Sequence, residues 1–164
     1  MKNLNMIVFL IFLCITAVGC SKDRSMRYVT QVAYFFDSGS ILPELQKHEE
    51  IRIEQNKVTL IRSGVVADTK INTGSWNLTV EQTKLNALFD QLKTIDCAKI
   101  SRVEPEEIPD GGFTEAYTII FSDGSTCELR YDPGTEYING DFIRVAVDDF
   151  INQLDIPPGE ILDN

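Results

Sequence analysis

Residues that commonly perform catalysis or bind metals are sparse in this chain. His48 is the only histidine among 164 residues, which excludes metal sites that need two or three imidazole ligands. It lies in a polar run, so we expect it on the solvated surface. The sequence has no nucleophile elbow, phosphate-binding loop or glycine fingerprint, and a Ser-His-Asp arrangement would use His48 only through an accident of folding. We therefore predict no catalytic, cofactor-binding or metal-binding residue.

Carboxylates are the other candidate groups, because the chain has 25 acidic residues against 15 basic ones and a net charge of −10. Four of them, Glu104, Glu106, Glu107 and Asp110, fall in a proline-interrupted loop from Ser101 to Gly112. Their spacing matches no calcium loop, and we interpret them as solvated. Paired carboxylates for glycoside hydrolysis need a defined separation, which the sequence does not specify. The charge argues against a nucleic-acid partner and favours a basic protein partner.

The N-terminus has the layout of an export signal. Lys2 precedes an apolar run from Met6 to Val18, whose length of about 13 residues falls short of the roughly 20 that span a membrane. Ala17-Val18-Gly19-Cys20 resembles the lipobox of bacterial lipoproteins, although that family most often has leucine where this chain has Ala17. The resemblance implies a signal peptide over residues 1–19, diacylglyceryl (and commonly palmitate) on Cys20, and cleavage before that cysteine. An ordinary cleaved signal and an uncleaved anchor are the alternatives.

The resemblance also implies a location and a domain organisation. The acyl chains on Cys20 would hold the protein on a membrane of the bacterial cell envelope, with residues 20–27 as a tether. The six residues between lipid and domain reach about 20 Å when extended. One globular domain is expected over residues 28–156, followed by a loose tail over 157–164. Which membrane and leaflet carry the protein is not specified.

Two cysteines, Cys97 and Cys127, remain if Cys14 leaves with the signal and Cys20 carries the lipid. An exported domain folds where disulfides form and persist, so we predict a bond between them. The alternative is a pair of buried thiols that act as small apolar fillers.

Alternating apolar residues predict two hairpins. Tyr28 to Phe36 is rich in β-branched and aromatic residues and predicts a first strand. From Glu50 onward, a two-residue loop at Gln55-Asn56 would pair Ile53 with Val58 and Ile51 with Leu60 on one face. Between Tyr117 and Tyr131, a three-residue loop at Ser122-Asp123-Gly124 with left-handed Gly124 would pair Ile119 with Cys127 and Tyr117 with Leu129.

Two helices are also predicted. Thr79 with Gln82 forms a capping-box pattern, and apolar residues then recur at helical spacing until about Lys93. A second stripe consists of Ile143, Val147, Phe150, Ile151 and Leu154. A further strand is expected between Val65 and Leu78, after a break at Ser63-Gly64, with Trp76 in the core. The pattern predicts an α+β fold, an antiparallel sheet of short strands and hairpins with two helices packed on one face.

The anchor, the short tether and the missing catalytic motifs favour a non-catalytic module that binds a protein or a wall component beside the membrane. An acidic surface would speed encounters with a basic envelope protein. A small-ligand carrier or sensor is an alternative that requires an apolar pocket. A hydrolase that uses surface carboxylates is the other, and it requires a cleft with at least two carboxyl groups of raised pKa.

Overall fold

The computed structural model describes residues 27–39, 45–66, 70–107 and 109–161. The strands within these ranges are β1 (Val29–Asp37), β2 (Leu45–Glu54), β3 (Lys57–Val66), β4 (Lys70–Ile71), β5 (Gly74–Leu78), β6 (Ser101–Val103), β7 (Thr114–Phe121), β8 (Thr126–Tyr131), β9 (Glu136–Ile138) and β10 (Glu160–Ile161). The helices are α1 (Gln82–Leu92) and α2 (Asp141–Ile151). The expected signal peptide over residues 1–19, the lipid site Cys20 and the tether up to residue 26 lie outside the described residues.

Six strands form one sheet in the order β5-β3-β2-β1-β7-β8, and the short pairs β10-β4 and β6-β9 lie apart from it. Every pairing among the described strands is antiparallel. With its two helices, the domain has the predicted α+β class and the predicted antiparallel sheet.

The first predicted hairpin is confirmed. Ile53 pairs with Val58 and Ile51 with Leu60 across β2 and β3, and all four side chains are buried. Strand β1 continues this apolar row, because Val32 pairs with Ile53 on one side and with Ile119 of β7 on the other. The alternation therefore sets the register across the centre of the sheet. Strand β2 begins at Leu45, five residues before the predicted alternation.

The second predicted hairpin is also confirmed. Ile119 pairs with Cys127 and Tyr117 with Leu129. Gly124 has a φ of 80°, its N–H donates to the Phe121 carbonyl, and Phe121 N–H donates to the Ser125 carbonyl. This is the three-residue loop with a left-handed glycine, and it places the apolar side of both strands inward.

We expect Gly124→Val to destabilise the domain by about 1–2 kcal/mol, because a β-branched residue resists positive φ. A Cβ at this position would meet no atom within 4 Å, so the loss would come from the backbone conformation and not from a clash. Gly124→Asn is the matched control, since asparagine tolerates the left-handed region. Chemical denaturation of both variants measures the difference, and equal midpoints would refute the assigned turn.

The helices contribute their apolar sides to one core. Leu85, Leu88 and Leu92 of α1 are buried, as are Ile143, Val147 and Phe150 of α2, and they belong to the same cluster as the apolar rows of the sheet. Leu154 lies beyond the end of α2 but packs against this core, as does half-buried Trp76. The predicted apolar stripes are therefore the buried sides of the helices.

The predicted start of α1 is wrong. The helix begins at Gln82 after the extended residue Glu81, which makes no side-chain cap. Strand β5 runs to Leu78, and Val80 packs against the core, so the chain stays extended past Thr79. The Gln82 side chain bonds elsewhere, as described below, and does not close a capping box.

Two segments that the sequence predicts to lie outside strands are paired in the structure. Strand β3 continues through Ser63-Gly64 to Val66. Gly64 has a φ of 132°, and a Cβ at this position would collide with the Gln46 carbonyl of β2. Glycine tolerates both conditions, so the strand stays paired here. Ser101–Val103, predicted as the start of the acidic loop, forms β6 and pairs with β9. Backbone pairing with a strand distant in sequence orders this piece in spite of its exposed side chains.

The prediction of a loose tail is wrong for residues 157–161. The carbonyls of Pro157 and Pro158 accept hydrogen bonds from Arg62 at 3.1 and 2.9 Å. The Gly159 carbonyl accepts from Asn72 N–H, and β10 pairs with β4. Although prolines cannot donate to a sheet, their carbonyls supply acceptors for a buried guanidinium, and this fixes the segment against the sheet.

Candidate functional site

His48 lies on β2, partly exposed, and its Nδ1 is 3.0 Å from Asp37 Oδ2. The register places Asp37, His48 and Ser63 in one row across three strands, which is an arrangement that the sequence did not predict. Within the described residues, no hydrogen bond joins His48 to Ser63, whereas an activated serine requires its base within reach. None of the clefts described below includes these residues, so we assign the row no catalytic role.

Carboxyl groups with a raised pKa are the mark of hydrolytic acids. Among the described residues, burial raises the pKa of one carboxyl, Asp148, against the opposing hydrogen bond from Tyr117. Tyr117 Oη donates to Asp148 at 2.8 Å, and Tyr34 Oη donates to Glu115 at 3.0 Å. Burial and these acids raise the pKa of both phenols. The two carboxylates thus satisfy buried phenols at one end of the core.

The described carboxylates of the acidic loop are either exposed or paired with an arginine. Glu104 pairs with Arg102, which also contacts Asp132 at 2.9 Å, while Glu106, Glu107 and Asp110 are exposed. Burial would raise the pKa of Asp132, but its hydrogen bonds from Arg102 and Thr114 outweigh burial and lower it. No group of three or more potential metal ligands occurs among the described residues.

Cys97 and Cys127 lie at disulfide distance, with Cα atoms 5.7 Å apart, within the range that a bond requires. Cys97 opens a single 3-10 turn after α1, and Cys127 is buried in β8. The pair joins the segment after the first helix to the late hairpin, as the sequence predicts.

A cleft of about 590 Å³ lies where the start of β1, the β2–β3 turn and α1 meet. We call it the amide cleft, because four of its side chains are carboxamides. Its lining residues are Tyr28, Val29, Gln55, Asn56, Gln82, Asn86, Phe89, Asp90 and Lys93. The volume is typical of pockets that bind small ligands, and the lining mixes aromatic rings with polar groups. It is the largest of the three clefts described here.

Hydrogen bonds fix the cleft in place. Gln82 Nε2 donates to the Gln55 carbonyl at 2.7 Å and to Asn86 Oδ1 at 3.0 Å, so one side chain ties the helix to the turn. At the opposite side, the Ser122 N–H donates to the Tyr28 carbonyl at 2.8 Å. The side chain of Tyr28 is 53% exposed, which leaves its ring available to a ligand.

The position at which the chain enters the domain is also fixed. The Arg27 guanidinium lies 3.7 Å from the centre of the Phe121 ring, and its Nη2 donates to the Ile95 carbonyl at 2.6 Å. Residue 27 is the last of the predicted tether, and Tyr28 in the cleft follows it directly. A tether from Cys20 would therefore reach the domain at the rim of the amide cleft.

Two further clefts are smaller. A groove of about 240 Å³ between α1 and α2 is lined partly by Leu88, Gln91 and Phe150. Another, of about 310 Å³, lies beside Tyr131, Tyr137 and Arg144. Neither combines exposed aromatic and amide groups as the amide cleft does. An enclosed apolar pocket, which a carrier of an apolar ligand would need, is not among these three clefts.

Most basic side chains in the described part are already neutralised within the molecule. Those in ion pairs with carboxylates are Lys47, Arg52, Arg62, Lys93, Lys99, Arg102, Arg130 and Arg144. Exposed acids such as Glu54, Glu128 and Asp149 make no such pair within the described residues. The charge presented to a partner is therefore predominantly negative.

The sequence did not predict the amide cleft. The sequence pattern predicts a turn at Gln55-Asn56 and a capping role for Gln82, and no local signal joins them to Tyr28. No helix in the described part is long and apolar enough to cross a membrane. The chain matches no protein-family model and no curated protein.

Proposed function

We propose that this protein is a lipid-anchored module of the bacterial cell envelope that binds a wall component or protein through the amide cleft without catalysing a reaction. The observation that carries the proposal is a cleft whose lining offers amide and aromatic contacts, and whose one carboxylate, Asp90, is paired with Lys93. Such a lining suits recognition, because it provides hydrogen bonds and stacking surface for a ligand.

The arrangement of helices supports this use of the cleft. We infer that both helices cover one face of the six-stranded sheet, because Val32, Ile53 and Ile119 are cross-strand neighbours on that face and share a core with the helices. The amide cleft then lies at the edge of this helical layer, where α1 meets the β2–β3 turn. The hydrogen bonds from Gln82 hold the helix and the turn together at this edge.

Lipid attachment is the first testable part of the proposal. Cys20→Ser should abolish labelling with a palmitate analogue and leave an uncut precursor, because the cysteine thiol accepts the lipid before cleavage. Gel electrophoresis of labelled cells measures both effects, with Cys14→Ser as the control. Unchanged labelling of Cys20→Ser would refute the anchor.

Binding through the cleft is the second testable part. Asn86→Leu removes an exposed amide from the cleft, whereas Gln91→Leu makes the same kind of change on α1 outside it. We expect pull-downs from the envelope to lose the captured material on the first substitution by roughly tenfold and to keep it on the second. Equal capture by the two variants would contradict binding at this cleft.

The unneutralised surface acids support a second candidate function, in which the module binds a basic envelope protein. Electrostatic attraction would speed that encounter and would weaken as salt screens the charges. Capture that falls steeply between low and high salt, and that Asn86→Leu leaves unchanged, would favour this second candidate over the cleft.

A further inference from the structure

We infer that the amide cleft binds an uncharged saccharide chain; this inference rests on the proposed function and names the ligand class of the same site. The ligand must match three properties of the lining. These are the density of amide groups, the exposed aromatic ring, and the balanced charge in a strongly acidic protein.

The amides match the hydroxyl and acetamido groups of a sugar. A carboxamide offers two donors and one acceptor in one plane, and neighbouring sugar hydroxyls accept and donate at similar spacing. Gln82 uses both Nε2 hydrogens within the protein, which leaves its Oε1 as an acceptor. Asn86 accepts through Oδ1 and keeps both Nδ2 hydrogens for a ligand. Gln55 and Asn56 are exposed on the turn and add further donors and acceptors along the cleft.

The aromatic side chains provide an apolar surface beside these amides. The Tyr28 ring is exposed and Phe89 is half-buried, so the cleft offers ring faces next to hydrogen-bonding groups. A pyranose ring has apolar C–H faces and a polar rim. Its face can pack on an aromatic ring while its edge bonds to carboxamides.

The charge of the cleft selects against ionic ligands. Asp90 and Lys93 are the charged side chains among the lining residues, and they pair with each other at 2.6 Å. The lining is therefore neutral overall, whereas the chain carries a net charge of −10. An anionic polymer would meet the repulsion of the whole domain, and a basic partner would find stronger attraction elsewhere on the surface.

The test uses the lipidated mature protein in a polyoxyethylene detergent, because a maltoside headgroup would itself be a saccharide. Calorimetric titrations and saturation-transfer NMR would compare an N-acetylglucosamine tetramer and cellotetraose with tetragalacturonate, which is anionic. We expect at least one uncharged tetrasaccharide to bind more tightly than the anionic one. Asn86→Leu and Tyr28→Ala should each weaken it by on the order of tenfold, while Gln91→Leu leaves it unchanged. Circular dichroism verifies the fold of each variant.

The outcomes separate this inference from the proposed function. If no uncharged saccharide binds but envelope capture still depends on Asn86, the ligand class is wrong and the binding cleft stands. If the material captured through the cleft proves to be a protein, the ligand class is likewise wrong and the binding cleft stands. Saccharide binding that survives both cleft substitutions would also overturn the inference, because the site would lie elsewhere. If neither saccharide binding nor envelope capture depends on Asn86, the inference and the proposed function both fail.

Discussion

Arg62→Met is expected to destabilise the domain by about 2–3 kcal/mol, because acceptors around the buried guanidinium lose a charged donor. Arg62 is 3% exposed, and its guanidinium contacts Glu49 and the carbonyls of Pro157 and Pro158. It also lies 5.6 Å from the centre of the Trp76 ring. Methionine would fill much of the volume, but the Pro157 carbonyl would lose its donor. Glu49 would keep only Lys47, and the Pro158 carbonyl would keep only the Asn72 amide. The melting temperature should fall by on the order of 10 °C.

Arg52→Met is the matched control for this substitution. Arg52 pairs with Glu50 on the same strand, with 50% of its side chain exposed, so solvent replaces the lost contact and the melting temperature should hardly change. The Arg62 variant should also become more sensitive to proteolysis after residue 156, because its C-terminal segment loses the two hydrogen bonds from Arg62 and is held only by its contacts to Asn72 and β4. If both variants melt together and resist proteolysis equally, the guanidinium does not hold this segment.

Removal of the disulfide should have an effect of similar size. The bond between Cys97 and Cys127 closes a loop with a sequence separation of 30 residues, which corresponds to roughly 3.5 kcal/mol in the chain-entropy description. Replacing both cysteines by alanine should therefore lower the free energy of unfolding by about this amount. Denaturation of the wild type with and without a reductant provides the same comparison without a substitution.

Mass spectrometry of the non-reduced protein, taken from the envelope, tests the bond itself. The peptides that contain Cys97 and Cys127 should be recovered joined, and Cys20 should carry lipid in the same sample. Two freely alkylated thiols would contradict the pairing and favour buried apolar cysteines. In that case reductant would not change the unfolding midpoint.

Hairpin registers were predictable because they depend on local rules. A side-chain period of two fixes which residues share a face, and the loop type fixes the pairing; hence Ile119 and Cys127 were matched correctly. The start of α1 was not predictable from Thr79 and Gln82, because β5 and the core contact of Val80 keep that segment extended. Tertiary packing here overrides the capping signal.

Contacts between residues that are distant in sequence could not be predicted from local patterns. The sequence separations from Arg62 to the two proline carbonyls are 95 and 96 residues, and an arginine in a strand ordinarily indicates a solvated position. The amide cleft also could not be predicted from local patterns, because Tyr28, Gln55 and Asn86 come from three separate parts of the chain. Each is ordinary in its local context, and the binding geometry exists only after folding.

In-cell photo-crosslinking from the cleft tests the central claim most directly. A photo-reactive amino acid at position 56, on the exposed β2–β3 turn, would be activated in intact cells that produce the lipidated protein, with position 91 as the control on the other side of α1. The account predicts a discrete crosslinked product, of wall material or protein, from position 56 but not from position 91. It also predicts that Cys20→Ser reduces this product, because the domain is no longer held beside the membrane. Crosslinking to lipid alone, or equal products from both positions, would contradict a lipid-anchored module that binds through the amide cleft.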